Sequence, residues 1–273
     1  MYKTILLYLP SVEAAQIIVD KAAQLARQHG AVLIGAHSVI KVTVYGGIPE
    51  DILAQHNERE RREAEAVKFI FEETARRYDL PHQWSARPAK DTDVFRDIVV
   101  QCRSADLVVA PGKGFADPLG HWYGLPERLA METGRPLLLL PRDKVADSFG
   151  KHIVVAWDGS REASRTTFDA LPILQAASTV CILTLLDRLE SPLAARAEDF
   201  ASVLKRHGIK TELALVGATG EPDGEELFAY AAKRNCDMLV MGFYGHSRLS
   251  EMIWGGVTRH MLKTMPLPIF TSH

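Results

Sequence analysis

The sequence predicts an α/β protein made of two tandem doubly wound domains, each a five-stranded parallel sheet with helices on both faces. Three observations carry this. Short apolar runs alternate with helix-length amphipathic stretches along the whole chain, the pattern of strands joined by crossover helices. The strand signals of the first half return in the second: Lys3-Thr4-Ile5-Leu6-Leu7 is echoed by Lys151-His152-Ile153-Val154-Val155, and Ala105-Asp106-Leu107-Val108-Val109 by Cys236-Asp237-Met238-Leu239-Val240. These runs are apolar at successive positions, as strands covered on both faces require.

Taken in order, the first strand is Lys3–Leu7. The opening Met1–Leu9 has no cleavage pattern and ends at Pro10, so it reads as a strand rather than a leader. An insertion follows at Val42–Ile52, with Tyr45-Gly46-Gly47-Ile48-Pro49 as a loop. A long helix then runs from about Glu50 to Tyr78, its charged run Glu58-Arg59-Glu60-Arg61-Arg62-Glu63 forming a solvated face with i,i+4 ion pairs. Ala105–Val109 and Gly134–Leu139 supply later strands. Charged and small residues at Asp143–Gly150 form the seam, giving domains at 1–142 and 151–273 with a linker at 143–150. In the second copy, Ala163–Leu174 reads as the first helix with Pro172 in its last turn, and Val180–Leu186 as the second strand. Pro192–His207 is the second helix, closed by Gly208, and Ile209–Val216 the third strand. Asp223–Arg234 is a helix with Asp223 as N-cap, Asp237–Met241 a strand, Gly256–Lys263 a helix, and Pro266–Phe270 introduces the last strand.

Composition narrows the function. A formal net charge of -2 gives no case for nucleic acid or an anionic membrane surface as partner. No apolar run reaches the roughly 18–20 residues that span a bilayer. Three scattered cysteines, Cys102, Cys181 and Cys236, point to a reducing cytoplasm rather than a disulfide framework. There is no G-x4-G-K-[ST] loop, no G-x-S-x-G elbow and no pair of carboxylates at a plausible active-site position, so no catalytic residue is predicted. No histidine has metal-ligand spacing, so no protein metal site is predicted either.

The chemistry concentrates after the strand Asp237–Met241. Gly242-Phe243-Tyr244-Gly245 is followed by Gly255-Gly256 at the start of a helix. Glycine lets a backbone approach a phosphate, and a helix N-terminus offers unpaired N–H groups and the positive end of its dipole. This G-x2-G-x9-G spacing resembles the nucleotide loop of the universal stress protein family. Val154-Val155-Ala156-Trp157-Asp158-Gly159-Ser160 is likewise similar to the family's first strand and its Asp-Gly-Ser. The resemblance covers nearly the whole chain as a tandem of two family domains. It implies an adenine nucleotide alpha hydrolase-like fold and an adenine nucleotide partner, ATP with Mg2+, in the second domain.

On that resemblance Asp158 contacts the adenosine end of the nucleotide; its competing role is to cap the helix starting near Ser160. Gly242 and Gly245 permit the turn and the close approach of phosphate, while Gly255, Gly256 and Val257 donate N–H groups. His246 and Arg248 lie within the loop, Arg248 as either a terminal phosphate partner or a solvated side chain. Gly256 stands where ATP-binding members carry Ser or Thr, a loss of one hydroxyl that Thr258 is near enough in sequence to offset. The first copy departs further: Tyr8-Leu9-Pro10-Ser11 has no aspartate, and Ala110-Pro111-Gly112-Lys113-Gly114 breaks the glycine spacing. It is expected to be degenerate as a nucleotide site. The resemblance further implies association through the strands Leu137–Leu140 and Leu267–Phe270, a homodimer of chains, and an unidentified protein partner. A slow ATPase, a nucleotide-free scaffold, and a pocket near Trp122, Tyr123 and the Tyr45-Gly46-Gly47 loop are the competing readings.

Overall fold

In the computed structural model the described residues are 1–39, 49–88, 95–112, 124–142, 149–186, 191–219, 221, 223–243 and 265–273. The predicted loop at Tyr45–Ile48, linker residues 143–148 and predicted helix Gly256–Lys263 fall outside them. The described residues form two compact units, the first ending at Arg135 and the second running from Pro136 to His273 together with Gly112.

The first unit contains β1 (Thr4–Tyr8), α1 (Val12–His29), β2 (Val32–Val39), α2 (Glu50–Arg77), β3 (His82–Pro88), α3 (Arg96–Cys102), β4 (Leu107–Pro111) and α4 (Leu125–Glu132). Its strands are parallel in the order β3-β2-β1-β4. The second unit contains β5 (Leu137–Leu140), β6 (His152–Ala156), α5 (Arg161–Asp169), α6 (Leu171–Leu174), β7 (Thr179–Leu186), α7 (Pro192–Arg206), β8 (Thr211–Gly217), α8 (Asp223–Lys233), β9 (Met238–Gly242) and β10 (Ile269–Ser272). Here the parallel order is β8-β7-β6-β9-β10, so the first unit's order recurs strand for strand. β5 adds to β10 in antiparallel sense, Leu139 opposite Ile269.

The duplication extends to individual hydrogen bonds. Asp106 accepts from the Lys3 and Thr4 amides at 2.7 and 2.9 Å. Asp237, its counterpart, accepts from the Gly150 and His152 amides, both at 3.0 Å. Each aspartate thereby ties the strand it opens to the start of its neighbour, and the echoed Asp is structural. At the carboxyl ends, Leu9 N–H donates to Ala36 O and Trp157 N–H to Leu183 O.

Two features of the predicted helices take another form. The expected helix Ala163–Leu174 is two, broken at Ala170. Pro172 has no N–H to give Phe168, so the ladder cannot run through it. The charged run of α2 does pair as predicted, Arg61 with Glu58 and Glu65, and Arg62 with Glu58. α2 buries only Val67, Phe71, Thr74 and Ala75. Phe71 lies over Gly35, where a Cβ would come within 2.8 Å of Phe71 and Trp84.

His37 repeats the bond made by Thr184 in the second unit. Thr184 Oγ1 donates to Trp157 O at 2.9 Å, and His37 Nδ1 lies 2.7 Å from Leu9 O. Burial lowers the His37 pKa, against the Leu9 hydrogen bond and the charges of Glu63 and Glu60, which raise it. With a folded pKa below the unfolded one, its contribution is intact above about pH 6.5 and is lost as pH falls through the folded pKa. Unfolding followed across that window should show stability declining with acid. His37→Thr, which can keep the Leu9 bond, should flatten the decline; an unchanged slope would assign it to other groups.

Candidate ligand crevice at the carboxyl edge of the second unit

In an open α/β sheet, ligands bind beyond the carboxyl ends of the strands where the strand order reverses. After β6 the chain builds β7 and β8 to one side, then crosses to place β9 and β10 on the other. The switch point therefore lies between β6 and β9. Ala156 is level with Met241 across this pair, so the chain leaves β6 through Trp157 and Asp158 beside the end of β9 at Gly242. Two of the predicted site residues meet at the place where this fold class opens a crevice.

Asp158 is exposed, and its Oδ1 accepts the Ser160 amide at 2.9 Å. The cap of α5 is Ser160, whose Oγ accepts the Ala163 amide at 3.0 Å. The capping role thus falls to Ser160, and Oδ2 of Asp158 has no hydrogen bond among the described residues. Gly242 is a contact point between strand and helix. A Cβ there would lie 2.6 Å from Ala163 N and 2.8 Å from Glu162 C, so the start of α5 rests directly on its backbone. Next to it, Phe243 N–H donates to Ser272 O, and His273 Nδ1 donates to Phe243 O, both at 3.0 Å. Thr166 fastens α5 to the same strand end, donating to Ser272 O and accepting from Ser272 N–H at 3.1 and 3.0 Å.

The residue before Asp158 is aromatic. Trp157 is buried and stacks on Phe200 at 4.9 Å, with its Nε1 unpartnered among the described residues. The start of α5 carries charge. Glu162 is covered although it follows an exposed arginine, and Arg161 Nε and Nη2 lie 3.0 and 2.8 Å from its Oε1. Burial works to raise the Glu162 pKa, but its own backbone amide, the Arg161 hydrogen bond and the charges of Arg161 and His273 outweigh it, so the carboxyl stays below its usual value. Asp223, the first residue of α8, is shifted up by burial and by the charges of Glu226 and Asp158. Asp223 is thus near enough to Asp158 to feel its charge.

Arg161, Glu162 and Asp223 were missed by sequence reasoning. An acidic residue in a helix's first turn is ordinary, and no local pattern shows that Glu162 is covered. Gly245, His246, Arg248, Gly255, Gly256 and Val257 lie outside the described residues. In the first unit Pro10 and Ser11 are buried where Asp158 and Gly159 are exposed, and they present no carboxylate. Among the described residues no three His, Cys, Asp or Glu side chains could hold a metal ion, and no helix is long and apolar enough to cross a membrane.

Comparison with known proteins agrees with this fold. The model of the universal stress protein family matches residues 150–272. A curated universal stress protein of Synechocystis is 29% identical over 154 residues, which are 56% of this chain and 52% of that protein. The match therefore spans about half the length of that relative. Among solved structures, a universal stress protein from Archaeoglobus fulgidus DSM 4304 superposes with a TM-score of 0.72 at 14% identity, covering 98% of this chain and 97% of its own. A functionally unknown protein from Pseudomonas aeruginosa PAO1 gives a TM-score of 0.60 at 13% identity, covering 99% and 92%. At such identities these two likenesses speak for the fold alone. Residues 150–272 thus match the universal stress protein family, and the solved structures share the fold of the chain.

Proposed function

We propose that the second unit binds ATP, with Mg2+ as its companion ion, in the crevice between β6 and β9. The nucleotide then acts as a regulatory or structural ligand of a cytoplasmic stress-response protein. The observation that carries this is the exposed Asp158 beside Gly242 at the switch point of a family domain. Asp158, with one oxygen tied to the turn and one open, suits the hydroxyl or amine donors of an adenosine. The carboxylate of Asp158 suits the nucleoside, and the glycine spacing of the sequence after β9 suits the phosphates. With no three metal-ligating side chains gathered among the described residues, Mg2+ would ride on the phosphates. Hydrolysis is expected to be slow or absent, since Asp158 is held to its turn and Glu162 by Arg161. The first unit, with its buried strand end, serves as a structural partner.

The test is to denature freshly purified protein and to identify and count the nucleotide released. About one adenine nucleotide per chain is expected, mainly ATP. Protein that carries none and gives no heat on titration with Mg-ATP would favour the nucleotide-free scaffold, the reading that Gly256 in place of a hydroxyl residue supports.

A further inference from the structure

We propose that Arg161 is a phosphate-binding residue of this crevice, positioned by the covered carboxylate of Glu162. The inference rests on the nucleotide reading above and assigns it a second contact within the described residues. Arg161 opens α5, three residues after Asp158, and its side chain is 83% exposed while that of Glu162 is 4% exposed. Both contacts from the guanidinium, Nε at 3.0 Å and Nη2 at 2.8 Å, go to the single oxygen Oε1. Of five guanidinium N–H groups only two are so engaged, and the remainder form an outward edge that suits a pair of phosphate oxygens.

A purely structural pair would be made differently. Glu162 Oε2 is buried and has no hydrogen bond among the described residues, so the desolvation of this carboxylate is left partly unrepaid. Ser272, in register with Gly242 and so on the same face of the sheet, also has an unpartnered buried hydroxyl. An exposed arginine adds little stability by pairing. What the pair does achieve is to fix a long side chain in one orientation at the switch point. It also places a positive charge between phosphate and the Glu162 anion, which would otherwise repel it. The amino end of α5, nine residues long, adds its dipole in the same sense.

Calorimetric titration of the parent, Arg161→Ala, Arg161→Lys and Glu162→Gln with ATP, adenosine and inorganic tripolyphosphate tests the assignment. Arg161→Ala should weaken ATP about tenfold or more and leave adenosine unchanged, because only a charged hydrogen-bond donor to phosphate is removed. Arg161→Lys should restore part of the loss. Glu162→Gln, isosteric, should fall between parent and Arg161→Ala for ATP, again without an effect on adenosine, whereas damage to the fold would weaken both ligands alike. If Arg161→Ala keeps the parental ratio of ATP to adenosine affinity, the arginine assignment is wrong although nucleotide binding stands. If the parent binds neither ATP nor tripolyphosphate, the nucleotide reading falls and this inference with it.

Discussion

Replacing Gly242 by alanine is expected to destabilise the second unit by roughly 2–3 kcal/mol, the upper part of the range for overpacking, because the obstacles are backbone atoms. The new Cβ would sit 2.6 Å from Ala163 N and 2.8 Å from Glu162 C, distances that no side-chain rotation relieves. α5 must lift from β9, and the Thr166–Ser272 bonds that hold it would stretch. Urea unfolding of Gly242→Ala beside Gly217→Ala measures this. Gly217 has nothing within 4 Å of its Cβ position and should tolerate the change. Equal midpoints for the two variants would show that α5 does not rest on Gly242. The glycine was first read as room for phosphate; the geometry gives it the further task of seating a helix.

Asp158→Ala is expected to weaken ATP binding by roughly 10- to 100-fold, the 1.5–3 kcal/mol of a hydrogen bond to a charged group. Stability should hardly change, because the only side-chain bond lost is the exposed one to the Ser160 amide, and Ser160 still caps α5. Asp158→Asn separates the turn from the charge: its amide oxygen can still accept from Ser160, so any loss it shows belongs to the ligand contact. Wild-type affinity in both variants, measured by titration, would remove Asp158 from the site.

Much of the fold was legible because duplication wrote it twice. The echo of Ala105-Asp106 in Cys236-Asp237 marked equivalent strands before their clamping bonds were known, and the apolar runs located β1, β4, β6 and β9. The break at Ala170 was not legible as such; Pro172 was visible, but a proline near a helix end can either close the helix or divide it. Of the candidate site, Asp158 and Gly242 stand out in the sequence through residue type, their place at strand ends and the family resemblance. Arg161 and Glu162 did not, since their meaning lies in a difference of exposure between adjacent residues, 83% against 4% for the side chains. That difference arises from how α5 tilts onto β9, a tertiary fact with no local signature. His37 escaped notice for a related reason: its equivalence to Thr184 is one of hydrogen-bonding position, not of side-chain chemistry.

The antiparallel pairing of β5 with β10 bears on how the polypeptide becomes a protein during synthesis. Leu137–Leu140 leaves the ribosome long before Ile269–Ser272, yet the two are neighbours in the finished second unit. Until the final residues emerge, β5 is a wholly apolar strand of four consecutive leucines that lacks this neighbour on its edge. A nascent chain arrested after β8 would thus expose a sticky edge to its neighbours on a polysome. A fragment cut at Gly150 to isolate the second half would carry the reciprocal fault, with β10 unpaired on one side and prone to zip against another copy of itself.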